Sequence, residues 1–90
     1  MHLNQLELLR TVVEYGGYQG ASKHLGVVRS AIHRKIRVLE TEVGRRLFER
    51  NGRRVQLTKA GQRLLDLQVR IQEETGQTLS EIRELTRERD

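Results

Sequence analysis

Between Tyr18 and Gly44 two helical patterns stand with almost no chain between them, and that spacing restricts the fold more than any other feature of the sequence. The first pattern, YQGASKHL (Tyr18–Leu25), turns Ala21 and Leu25 to one side and stops at Gly26, a residue free to take positive φ. The second begins a few residues later. In it Ile32, Ile36, Leu39 and Val43 share one stripe of a helix, and Gly44 follows where a C-terminal glycine belongs. With small Ala21 at the contact and only Gly26-Val27 to turn the chain, the two helices must cross closely at a steep angle, the arrangement of a helix-turn-helix.

The flanking segments complete a small fold. Upstream, Leu3, Leu6, Leu9, Val12 and Val13 recur at helical spacing until Gly16-Gly17, which predicts a helix from about Asn4 to Tyr15 with Asn4 as its N-cap. Downstream, RRLFER and RRVQLT read as two strands joined at Asn51-Gly52, a strong hairpin signal, and a basic-tipped hairpin after a helix-turn-helix is a wing. Thr58 is then placed to cap a last, long helix, in which Gly76 costs about 1 kcal/mol relative to alanine. The expected fold is mainly α, a winged helix-turn-helix of three helices plus a β-hairpin over residues 1–58, followed by a linker and dimerisation helix over residues 59–90. The charged stretch from Ser80 to Asp90 is expected to fray, and its lack of a closing element reads as a cut within a longer chain.

Charge suggests what such a fold would meet. The chain carries 17 Lys+Arg against 12 Asp+Glu, a formal +5, but the basic residues are not spread evenly. Between Gly26 and Lys59 ten basic residues face three acidic ones, so this third of the chain is +7 and the remainder −2. A concentrated basic block is the footprint of a polyanion-binding face, with nucleic acid the leading partner and an anionic membrane surface behind it. Only Tyr15, Tyr18 and Phe48 are aromatic, too few for single-strand binding by base stacking. No cysteine and no long apolar run point to a soluble, cytoplasmic chain with no disulfide and no membrane span.

At this point the string ASKHLGVVRSAIHRKIRVLETEVGRRLFERNGRRVQLTKAGQRLL resembles the DNA-binding domain of LysR-type transcriptional regulators. Its most specific parts are IRVLETEVGRRLFER, against the family pattern I-R-x-L-E-x-x-L-G-x-x-L-F-x-R, and VQLTKAG, against L-T-x-A-G. The resemblance covers nearly the whole chain. It implies a winged helix-turn-helix on double-stranded DNA, a linker helix that pairs in a homodimer, and an effector ligand bound only through a C-terminal domain outside this sequence. One departure stands out. Where the family's third helix opens with serine, glutamine and proline, this chain has Val28, Arg29 and Ser30, and His33 replaces a later serine. Valine has no side-chain acceptor for free amides, which costs about 0.5–2 kcal/mol unless Ser30 or solvent supplies one.

On the third helix, Ile32, Ile36 and Leu39 turn to the core, which leaves Arg29, Ser30, Ala31, His33, Arg34, Lys35 and Arg37 on faces within reach of DNA. Arg29 and His33 are expected to read base edges, Arg29 by a bidentate contact to guanine, while Ser30, Arg34 and Lys35 hold phosphates. Arg50, Arg53 and Arg54 crowd the hairpin tip, where their mutual repulsion is offset by a phosphate backbone or a narrow minor groove. The plainer readings are a solvated charged helix and an edge strand protected by charge, with Arg34 or Arg50 paired to Glu40 or Glu49. A different winged helix, of a stand-alone or RNA-binding kind, or a protein-interaction module meeting an acidic partner, is the remaining alternative.

In the last helix Leu64, Ile71, Thr78 and Leu85 repeat every seven residues, with Gln68, Thr75, Leu79 and Ile82 completing a seam that one helix cannot bury alone. The upper half is able to pack on the first helix. The lower half calls for a partner helix, and pairing would set two third helices about one helical turn of DNA apart, or a multiple of it. His2, His24 and His33 lie in separate elements without ligand spacing, so no metal and no cofactor are expected. No nucleophile elbow or phosphate loop is present, and Gly16-Gly17 and Gly20 are turn glycines with no strand before them. The chain reads as a non-enzyme.

Overall fold

The computed structural model describes residues 1–88, with side chains through Leu85. Four helices and one hairpin follow in the order α1 (Leu3–Glu14), α2 (Tyr18–Leu25), α3 (Arg29–Val43), β1 (Phe48–Asn51), β2 (Arg54–Leu57) and α4 (Lys59–Glu88). α1 begins one residue before the pattern predicts, because His2 and not Asn4 stands at its N-cap, where Gln5 Oε1 accepts the His2 N–H at 2.6 Å. Leu9 and Val12 of α1, Ala21 of α2 and Ile32, Ile36 and Leu39 of α3 close one core, sealed from the hairpin side by Leu47 and Phe48.

The stripes predicted from sequence are narrower in the fold. Leu3, Val13, Leu25 and Val43 are exposed, each lying at or near the end of its helix, beyond where the three helices converge. The turn between α2 and α3 is closed by Ser22. Its carbonyl accepts from Gly26 N–H at 2.9 Å and Val27 N–H at 3.3 Å, and its hydroxyl donates to Val27 O at 2.5 Å. Gly26 takes φ +67°, which an L side chain would strain, so the tight turn requires glycine there.

The hairpin pairs Phe48 with Leu57 and Asn51 with Arg54, so its two-residue loop is Gly52-Arg53, one residue later than the Asn-Gly signal suggests. Asn51 is the last residue of β1. Leu47, within the expected strand, precedes it instead: its amide is held by Glu40 and its side chain fills the core.

Thr58 caps α4 as predicted, its Oγ1 accepting Gly61 N–H at 3.0 Å while also donating to Arg46 O at 2.6 Å. The backbones approach so closely here that a Cβ on Gly61 would overlap Leu47 O and lie 2.6 Å from Leu57 Cδ2. The conformation is ordinary helix; the glycine is required by space.

The first turns of α4 belong to the core, with Ala60, Leu64 and Leu65 packed against it. Gln68 is buried on α1, where its Oε1 accepts from Arg10 Nη1 at 3.2 Å, and Arg10 also bonds Gln72 and Glu14. Further along, the helix leaves the domain, giving extents of 56 × 28 × 19 Å. It continues through Gly76 to Glu88 where the charge pattern predicts fraying, since Glu, Arg and Leu are all strong helix formers. The last two residues of that stretch lie outside the described ones.

Candidate nucleic-acid interface

α3 divides by side as its apolar stripe dictates. Ile32, Ile36 and Leu39 are at most 2% exposed, while Arg29, Ser30, Arg34, Lys35 and Arg37 are exposed and Ala31 and His33 are half-buried. Val28 stands at the N-cap with φ −64° and ψ 144° and gives no side-chain bond, and Ser30 does not replace it. Val28 O accepts Ala31 N–H at 3.1 Å, and the Arg29 and Ser30 amides lie at the positive end of the helix dipole.

The hairpin stands beside α3 and its alternation sorts the arginines. Arg50 pairs with Val55 on the face turned toward α3, Arg54 takes the opposite face beside Asn51, and Arg53 occupies the tip. Only Arg50 among the three lines the cleft between α3 and the hairpin, opposite His33 and Arg37. None of Arg29, Arg34, Lys35, Arg37, Arg50, Arg53 or Arg54 has an ion-pair partner among the described residues.

The alternative pairing of Arg34 or Arg50 with Glu40 is not what the fold uses. Glu40 Oε2 instead accepts Leu47 N–H at 2.7 Å and Phe48 N–H at 3.5 Å, with Arg46 Nε at 3.5 Å. One carboxylate thus ties the end of α3 to the root of the hairpin and fixes the angle between the two cationic elements. Arg46 is largely exposed, so the amide bonds carry most of this link.

Tyr18, which sequence reasoning counted only as a scarce aromatic, supports the floor of the cleft. Its ring stacks on His33 with centroids 3.7 Å apart and planes at 20°, and meets Phe48 edge-on at 5.7 Å. Burial raises the phenol above its usual range, assisted by Glu40 and opposed by Arg46, Arg37 and Arg50. Burial also pushes His33 below the usual imidazole range, reinforced by Arg29, Arg50 and Arg37. His24 stacks separately on Tyr15, with centroids 4.1 Å apart.

The residues assigned to pairing between copies divide along α4. Leu64 and Gln68 turn into the domain, and Ile71 is half-buried in the groove between α1 and α4. Thr75 also lines that groove, Thr78 is exposed, and Leu79, Ile82 and Leu85 are 45 to 52% exposed on the projecting half. No helix of the described residues is long and apolar enough to cross a membrane.

Comparison with known proteins agrees with this architecture. Residues 3–62 match the family model described as bacterial regulatory helix-turn-helix protein, lysR family. A "Probable nitrogen assimilation transcriptional activator" of Synechococcus elongatus is 42% identical over 85 residues, which cover 94% of this chain and 27% of that protein. The chain spans 26 to 29% of the length of this relative and two others like it. Among solved structures, the CbnR_DBD-DNA complex superposes with a TM-score of 0.80 at 34% identity, over 96% of this chain and 99% of that one. The BenM_DBD/catB site 1 DNA complex gives 0.81 at 27% identity, covering 96% of each chain. With a helix-turn-helix, an arginine-bearing hairpin and a long exit helix in the same order and geometry as these regulators, the chain belongs to the LysR family of bacterial regulatory helix-turn-helix proteins.

Proposed function

We propose that this chain is a sequence-specific double-stranded DNA-binding domain of a transcriptional regulator, with α3 in the major groove and the hairpin on the adjacent backbone or minor groove. The observation that carries the reading is the cationic surface that α3 and the wing present together, whose arginines and lysine have no acidic partner among the described residues. Relatives of the same fold whose domains are in complex with DNA support it. Arg29, beside the uncapped start of α3, is the base reader; Ser30, Arg34 and Lys35 hold phosphates, with Ala31 close against the groove. Arg37 and Arg50 line the cleft, and Arg53 and Arg54 follow the backbone beyond it.

The work divides along the chain, residues 1–58 meeting the duplex and the projecting part of 59–90 joining two copies, its first turns belonging to the domain core. Pairing through the projecting part of α4 covers Leu79 and Leu85 and places two α3 helices on a near-palindromic site. The regulator acts in the cytoplasm, by occupancy near promoters, and takes its effector ligand through a domain beyond this sequence.

Selection from a random duplex pool tests the reading. The expected product is a pair of half-sites about one helical turn apart or a multiple of it, with binding that weakens by about 0.9 log units per log unit of salt for each phosphate neutralised. Flat salt dependence, or equal retention of RNA, overturns it.

A further inference from the structure

The cleft between α3 and the hairpin holds an arrangement that generic phosphate attraction does not require. Its floor is an imidazole laid on a phenol ring, and its walls carry guanidinium groups from two different elements, Arg37 of α3 and Arg50 of β1. We propose that His33 is a proton-linked phosphate ligand: seated on Tyr18, it binds one backbone phosphate of the duplex in this cleft and takes up a proton from solvent as it does so. This rests on the DNA-binding reading above and assigns His33 to the backbone instead of a base edge.

Three observations lead there. The stack at 3.7 Å covers one face of the His33 ring, which restrains it and leaves the rest of the side chain to the cleft. A monoanion entering that space is bracketed by Arg37 on one wall and Arg50 on the other, the surroundings a phosphodiester prefers. And the cations that disfavour the imidazolium in the free domain are ones that binding compensates. Protonation of His33 is opposed by burial and then by Arg29, Arg50 and Arg37, whose charges a bound backbone compensates while adding an anion of its own.

The remaining charged groups around the cleft do not replace the phosphate. Glu40 is engaged by the Leu47 and Phe48 amides and by Arg46, and the Tyr18 phenol stays protonated. Glu49 lines the cleft from β1, but the cations outweigh it at His33. Once the imidazolium forms, the Tyr18 ring beneath it favours the charge by a cation–π contact.

The test is the affinity of the chain for the duplex recovered by selection, from pH 8 to pH 5.5 at several salt concentrations, with H33Q and H24Q beside the parent. The parent should bind more tightly as pH falls, by at most about tenfold per unit for one linked proton. Its salt slope should steepen by about 0.9 at the acid end. H33Q should lose both dependences yet rank single-base variants of the duplex as the parent does, and H24Q should keep both. The His33 ring resonances should titrate at higher pH in the complex than in the free chain. Equal pH slopes in parent and H33Q, a changed ranking in H33Q, or a titration that binding leaves in place overturns the assignment alone. Failure to bind any duplex at any pH overturns the DNA-binding reading and this one with it.

Discussion

Two glycines of α4 should respond to the same substitution with opposite signs. Gly76 lies in the helix interior with nothing within 4 Å of the position a Cβ would take, so Gly76→Ala adds helix propensity and little else. It should stabilise the chain by up to about 1 kcal/mol. Gly61 has the same propensity to gain, but its Cβ would overlap Leu47 O and press on Leu57 Cδ2 at 2.6 Å. Leu47 O is a backbone atom that accepts Thr58 N–H at 3.0 Å, and Gly61 N–H itself reaches Thr58 Oγ1, so relief of the overlap disturbs the cap. Overpacking costs about 1–3 kcal/mol and a half-buried amide left unbonded about 1–3 more, against the gain of about 1. The net effect of Gly61→Ala is a loss of about 1–5 kcal/mol. For a domain of this size each kcal/mol moves the melting temperature by about 4–8 °C, so Gly61→Ala should melt at least about 4 °C lower and Gly76→Ala a few degrees higher. Urea and thermal unfolding followed by circular dichroism at one fixed protein concentration measure both. A Gly61→Ala chain as stable as its parent would refute the argument that space demands this glycine.

Replacing Glu40 by alanine removes the acceptor of the Leu47 and Phe48 amides and should cost about 1–3 kcal/mol in urea unfolding, with Glu40→Gln retaining part of it. Arg29→Ala should weaken duplex binding by about 1–3 kcal/mol and relax preference at one base position, whereas Arg53→Ala should weaken all duplexes alike and lower the salt slope by about 0.9, both read by fluorescence anisotropy. Because His33 titrates lower in the folded chain than in the unfolded one, the unfolded state binds the extra proton. Stability is therefore full above the ordinary value of 6.5 and declines as pH falls from there toward the folded value, a decline that H33Q should reduce in urea midpoints taken from pH 8 to pH 5. Leu79→Lys combined with Leu85→Lys should yield a monomer in sedimentation equilibrium where the parent is expected to sediment as a dimer.

The periodic part of the fold was legible in the sequence because periodicity is what burial writes into a chain. Ile32, Ile36 and Leu39 announce the inner side of α3, and Gly26 and Gly44 its limits, so the basic residues are left outside by subtraction. What escaped is set by contacts between elements. Glu40 bonds two amides beyond its own helix, and no spacing rule distinguishes that carboxylate from one paired to an arginine. His33 finds Tyr18 on a different helix, and the family pattern, with serine there, offers no hint of a stack. Leu25 and Val43 fit their stripes, yet each sits where its helix has already passed the core. The hairpin was evident from Asn51-Gly52, but a shift of one residue in the loop settles which arginine faces α3, since side chains in a strand alternate.

α4 is anchored by its first turns and by Gln68 and Gln72 on α1, and the part beyond projects from the domain, which makes it a lever. From Gln72 to Glu88 the helix extends about 24 Å, so a bend of about 8° where α4 leaves α1 swings the far tip by roughly 3 Å, close to the rise of one base pair. Anything that grips the distal end, whether a twin or a neighbouring domain, therefore trades small rotations at that exit for whole steps along the double helix.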